Sequence, residues 1–132
     1  MPARRTITDL LDAARAQLDR LQPAAAHQAM VDGGAILVDT RCIEQLRESG
    51  CIPGAVHIPL SVLYWRLDPA SGHNDVRLSD PARQVVLVCA HGYSSSLAAA
   101  TLRELGFSRA TDVAGGFEAW AAAGLPVEAA PE

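Results

Sequence analysis

Cysteine, histidine and serine crowd one short stretch of the chain, Cys89-Ala90-His91-Gly92-Tyr93-Ser94-Ser95. It follows the apolar run Val85-Val86-Leu87-Val88 and leads directly into a helical pattern over residues 95–105. A cysteine at the carboxyl end of a buried strand, ahead of a turn and a helix, has three physical advantages. A loop that curls back on itself turns successive backbone N–H groups inward as an anion nest. Gly92 permits the backbone angles that such curling needs. The helix N-terminus beneath adds unpaired N–H donors and a favourable dipole. All three favour thiolate over thiol, so Cys89 is expected to be a nucleophile with a lowered pKa. A buried, inert cysteine closing the strand is the weaker reading, because a strand end before a glycine turn is a poor place for burial.

The neighbours of Cys89 have their own expected roles. His91 invites a Cys–His dyad, but side chains two residues apart in a curled loop should diverge, which leaves His91 at the mouth to meet donor or acceptor. Tyr93 is a rim residue of the same kind. Ser95 is expected to cap the following helix, its hydroxyl bonded to backbone. Asp39 and Arg41 follow another apolar run and read as structural support, Asp39 accepting backbone N–H bonds and Arg41 pairing with an acid, in preference to a substrate role for Arg41. The remaining cysteines, Cys42 and Cys51, read as passive thiols, and His27, His57 and His73 carry no signal.

Hydrophobic periodicity supplies the elements that must position this loop. Ile7, Leu10, Leu11, Ala14, Leu18 and Leu21 recur at helical intervals, with Asp9, Asp12, Arg15, Asp19 and Arg20 on the other side. Thr6 is the expected N-cap, and Pro23 ends this helix and opens a second over residues 24–31, stopped by Gly33-Gly34. The first helix reads as a cover for the domain's own flank, with a homodimer or partner face as the alternative. The short continuous apolar run at 35–38 reads as a strand buried on both faces, and 55–58, 85–88 and 110–113 are further strand candidates, 85–88 the strongest. Small side chains at Leu97-Ala98-Ala99-Ala100 let the helix at 95–105 lie close to a sheet, with Gly106 as its cap. A last helix spans 117–123. Strands alternating with helices imply an α/β fold with a mostly parallel central sheet and helices on both faces. In such sheets ligands bind at the carboxyl ends of strands, where Asp39 and Cys89 stand.

Composition narrows the class. With 132 residues, 49% of them hydrophobic, the chain can bury one proper core. A net charge of −4 with scattered bases argues against nucleic acid. The apolar runs are too short to span a bilayer, and the absence of an apolar run after the basic start 1–5 points to a cytoplasmic protein. Three cysteines cannot all pair, and neither a Cys-x-x-Cys nor a zinc-like spacing occurs, so reduced thiols without metal are expected.

Four segments, in order, resemble the rhodanese family: Leu37-Val38-Asp39-Thr40-Arg41; Ile52-Pro53-Gly54-Ala55-Val56-His57-Ile58-Pro59; Val86 to Ser95 around Cys89; and Val113-Ala114-Gly115-Gly116-Phe117-Glu118-Ala119-Trp120. The likeness covers roughly residues 24–127, so 1–22 reads as an N-terminal helical extension and 23–132 as the rhodanese-like domain, similar to stand-alone actinobacterial members. It implies a sulfurtransferase reaction in two halves without metal or organic cofactor. Cys89 takes sulfane sulfur from a donor such as thiosulfate as a persulfide, and a thiol or cyanide-like acceptor removes it. Residues 90–95 would form the active-site loop and bind substrate.

Relatives that use thiosulfate well carry Arg at the sixth loop position and often a base at the second, where this chain has Ser94 and Ala90. Slow turnover with thiosulfate is therefore expected, with Arg66, in a segment expected to overhang the site, as a candidate replacement. Cys51, where relatives often have His, is a candidate to resolve the persulfide as a disulfide. Phosphatase or arsenate reductase chemistry needs a Cys-x5-Arg loop; here Ser95 falls at the arginine position and the loop is a residue short, so transition-state charge lacks its partner. A non-catalytic rhodanese module that binds partners or senses redox state remains the alternative.

Overall fold

The structure, a computed structural model, describes residues 3–131. Four strands, β1 (Ile36–Asp39), β2 (Val56–His57), β3 (Val85–Val88) and β4 (Thr111–Asp112), form one parallel sheet in the order β2-β1-β3-β4. The two longest strands, β1 and β3, are central and pair over four positions, Ile36 with Val85 through Asp39 with Val88. Both are buried at every residue, so their side chains divide between two cores as the pleat alternates. Ile36, Val38, Val85 and Leu87 face a cluster that includes Leu63, Leu67, Ala98, Ala99 and Leu102. Leu37, Val86 and Val88 face one that includes Ala26, Phe117 and Trp120. Helices therefore cover both faces of the sheet, as the sequence pattern requires.

The helices are α1 (Ile7–Ala16), α2 (Pro23–Gly33), α3 (Ile43–Ser49), α4 (Leu63–Leu67), α5 (Ser94–Glu104) and α6 (Gly116–Ala122). Thr6 caps α1 in a reciprocal pair: it accepts the Asp9 N–H at 3.0 Å, and Asp9 accepts the Thr6 N–H at 2.8 Å. The first helix is shorter than its periodicity suggests. It ends at Ala16, and Leu21, expected on its apolar face, instead bridges Val113 in parallel beyond β4. The Leu21 N–H donates to Asp112 O at 3.0 Å, and the Ala114 N–H donates to Leu21 O at 2.8 Å. Segment 17–22 thus leaves the helix, and Leu21 alone extends the sheet edge. The helix itself lies on α5, with Ala14 buried and Ile7 and Leu10 exposed, and Leu18 is buried just beyond its end. No helix among the described residues is long and apolar enough to cross a membrane.

Candidate active site

Cys89 is the first residue after β3, and α5 begins five residues later at Ser94. The turn between them is held from outside. The N–H groups of Phe117 and Glu118, in the first turn of α6, donate to the carbonyls of Cys89 and Ala90 at 2.8 and 3.1 Å. Fixing those carbonyls outward leaves the loop's own N–H groups to face the sulfur. Gly92 donates its N–H to Cys89 Sγ at 3.1 Å. Glycine is obligatory there: φ is +84°, and a Cβ would lie 2.8 Å from the Gly115 nitrogen. Gly116 is constrained from the other side, since a Cβ on it would collide with the Cys89 carbonyl. Gly116 is needed because two stretches of backbone touch there, whereas a Cβ on Gly115, at φ +77°, would meet the Ala119 side chain one turn on.

Cys89 is 6% exposed, more buried than its place at a strand end suggests. It is not sealed, for it lines a cavity of about 400 Å³ together with Thr40, Arg41, Cys42, Gln45, Leu60, Ala90 and Ser94. Burial pushes its thiol pKa up, but hydrogen bonds from the hydroxyls and N–H groups of Ser95, Ser94 and Gly92 outweigh it, and the net value lies below that of an ordinary thiol. Sγ lies 3.2 Å from Ser95 Oγ, which donates to Asp112 at 2.7 Å.

Ser95 accordingly does not cap the helix. The cap position falls on Tyr93, which makes no side-chain cap bond, and the Ser95 hydroxyl is buried between Cys89 and the Asp112 carboxylate. His91 turns outward and pairs through Nδ1 with Glu118 at 2.6 Å, both side chains well exposed. It makes no bond to Cys89 and borders a neighbouring cavity that shares Arg41, Gln45 and Ala90 with the first. Tyr93 is exposed beneath the Arg15 guanidinium, 5.7 Å from its ring centre.

Arg41 and Asp39 form a buried ion pair at 2.6 Å. Arg41 also donates to Gly50 O at 2.9 Å and stacks 3.8 Å from the centre of the Phe117 ring. His57, silent in the sequence, bonds the Arg41 carbonyl through Nε2 at 2.7 Å. The structure does not bring Arg66 to the site. Its guanidinium donates to His73 O at 2.8 Å, lies 3.7 Å from Asp75, and borders a different cavity, beside Val56 and Arg77. Of the two spare thiols, Cys42 shares the Cys89 cavity, whereas Cys51 bridges Glu128 in the C-terminal segment, with burial foremost in raising its pKa. No group of three or more metal-ligating side chains occurs among the described residues.

Missing from the sequence reading are Asp112, Ser96, Arg15 and Arg20. Arg15 and Arg20 looked like the solvated side of a long helix, and Asp112 like part of an apolar strand. Only the polar pair Thr111-Asp112 inside that run hinted at a buried network.

A parallel sheet wound on both faces, with a cysteine in the loop between a central strand and the next helix, defines a class of α/β domains whose site falls at the carboxyl ends of the strands. Comparison with known proteins gives the family. Residues 22–123 match the rhodanese-like domain, and the chain belongs to that family. It is 41% identical over 104 residues to thiosulfate sulfurtransferase GlpE of Pseudomonas syringae, covering 79% of this chain and 88% of that one. Among solved structures, a protein of unknown function from Rhodopseudomonas palustris, called a possible tyrosine phosphatase, superposes with TM-score 0.86 at 31% identity, over 97% of this chain and 99% of the other. The polysulfide-sulfur transferase homodimer of Wolinella succinogenes gives 0.70 at 27% identity, over 89% and 83%.

Proposed function

We propose that the protein is a rhodanese-type sulfurtransferase that carries sulfane sulfur as a persulfide on Cys89. The Cys89 thiolate attacks the sulfane sulfur of a donor, a new S–S bond forms, and the rest of the donor leaves with the electron pair of the broken bond (sulfite, if the donor is thiosulfate). A thiolate or cyanide-like acceptor then attacks the outer sulfur, and Cys89 departs as thiolate. No metal or organic cofactor is needed. The observation that carries this reading is the Gly92 N–H aimed at a buried sulfur that still borders a cavity of about 400 Å³. Relatives named thiosulfate and polysulfide-sulfur transferases support it.

The cavity wall contains a single cation, Arg41, whose charge is committed to Asp39. Ser94 brings a hydroxyl where a guanidinium would grip a sulfonate, so thiosulfate is a slow donor and a less anionic sulfane compound a better one. The same lack of a loop guanidinium disfavours phosphate-ester hydrolysis, the activity suggested by the name of the Rhodopseudomonas palustris protein. Three free thiols fit a reducing, cytoplasmic compartment.

Intact-protein mass spectrometry after exposure to thiosulfate, polysulfide and a low-molecular-weight persulfide tests the proposal. One sulfur atom should add to the wild type and none to Cys89→Ser. No adduct with any donor would overturn the reading, and an adduct that no acceptor removes would identify a binding module instead.

A further inference from the structure

Two arginines that precede the family-matching residues 22–123 converge on the reactive loop. Arg15 donates from Nη2 to the Gly92 carbonyl at 2.8 Å and from Nε to Ser96 Oγ at 3.2 Å. Arg20 reaches the same carbonyl at 3.0 Å and clasps Asp112 through Nε at 2.8 Å and Nη2 at 3.2 Å. Asp112 is 0% exposed and also accepts the hydroxyls of Ser95 and Ser96, each at 2.7 Å. With Ser95 Oγ 3.2 Å from Cys89 Sγ, an unbroken chain runs from the sulfur through Ser95 and Asp112 to Arg20.

A hydroxyl has one hydrogen to give. While Ser95 gives it to Asp112, Ser95 can only accept from a Cys89 S–H. Beside a sulfur anion that orientation sets lone pair against charge, and the hydroxyl must turn toward the sulfur. Asp112 can release it because Ser96 and both Arg20 bonds remain. Without Arg20, the buried carboxylate would keep the Ser95 hydrogen and place an uncompensated negative charge beside the sulfur.

We propose that Arg20, with Arg15 sharing its hold on Gly92, is a positioning residue of the sulfur site: it neutralises Asp112 and so frees the Ser95 hydroxyl to stabilise the anion on Cys89. This deepens the sulfurtransferase reading and rests on it for the purpose of that anion. The other ionisable side chains flanking the loop bond among themselves, Arg41 with Asp39 at the end of β1 and His91 of the loop with Glu118 of α6. The Arg20–Asp112 pair is the one wired to the sulfur.

The test is the pH dependence of Cys89 alkylation by iodoacetamide in the full chain, read by peptide mass so that Cys42 and Cys51 do not interfere. Arg20→Gln should move the midpoint upward by about one pH unit, and Arg20→Lys should recover most of the shift. Adding Asp112→Asn to Arg20→Gln should return it close to wild type. A folded Arg20→Gln with an unmoved midpoint, or a double variant that stays shifted, overturns the proposal. If Arg20→Gln does not fold, Asp112→Asn is compared with the double variant, and a midpoint that still depends on Arg20 overturns it equally. The titration uses no sulfur donor. A chain that shows these shifts but never acquires a persulfide would sink the sulfurtransferase reading and leave the role of Arg20 standing.

Discussion

The backbone N–H of Phe117 donates to the carbonyl of Cys89 at 2.8 Å, so the last helix sets the shape of the reactive loop. That bond requires α6 to start with no side chain at Gly116, whose φ is +62° and whose Cβ would strike the Cys89 carbonyl. Gly116→Ala therefore combines left-handed strain with an unrelievable backbone clash and should destabilise the fold by about 2–4 kcal/mol in urea unfolding. The surviving folded fraction should show slower Cys89 alkylation. A loss below about 1 kcal/mol would mean that loop and helix are not in contact.

Donor choice follows from Ser94, which borders the Cys89 cavity at the sixth loop position. Ser94→Arg supplies a guanidinium that can bond a sulfonate through two N–H groups, worth roughly 1.5–3 kcal/mol. Steady-state kinetics with cyanide as acceptor should show kcat/KM for thiosulfate rising roughly tenfold or more, mainly through KM. An uncharged or persulfide donor should gain little. Equal gains for all donors would show that the substitution acts on the thiol rather than on donor binding.

The lowered Cys89 pKa has a sign in both reactivity and stability. Persulfide formation needs thiolate, so its rate should reach half its maximum at a pH below the ordinary thiol value and fall on further acidification. In the unfolded chain Cys89 titrates at that ordinary value. Between the two values the folded state has lost its proton and the unfolded state keeps it, so stability rises with pH. The increment is absent below the folded pKa and complete above the unfolded one. Unfolding of Cys89→Ser measured across this window should lack the rise; a variant that tracks the wild type would show that the thiolate is not held preferentially.

Much of this was legible in the residues. Val85–Val88 is a strand because four β-branched or leucine side chains can be buried on both faces at once, and its limits match the pattern. The loop was readable from a cysteine, a glycine and a helix start in sequence. The first helix misled because Leu18 and Leu21 keep a helical interval while the chain leaves the helix; Leu18 is buried beyond its end, and Leu21 pairs with Val113. Helix α3 passed unnoticed, being seven residues long and capped by Cys42 rather than by serine or threonine. The Arg20–Asp112 pair spans 92 residues, and no local pattern encodes a partner at that distance.

The same holds for the strength of the Asp39–Arg41 pair, which two neighbouring letters suggest but do not measure. Both side chains are 2% exposed, and Arg41 has its other contacts in Gly50 and the Phe117 ring. Asp39→Ala would leave a guanidinium in the core with no carboxylate, which should cost about 3–5 kcal/mol in urea unfolding. Replacing both groups with apolar side chains of similar size removes the stranded charge. Asp39→Leu with Arg41→Met should therefore recover a large part of the loss while keeping a flexible chain against Phe117. Recovery of stability without recovery of Cys89 reactivity would show that the pair shapes the cavity wall as well as the core. If Asp39→Ala proved nearly neutral, the guanidinium would have to reach water through the cavity, and Arg41 would then be available to a donor anion after all.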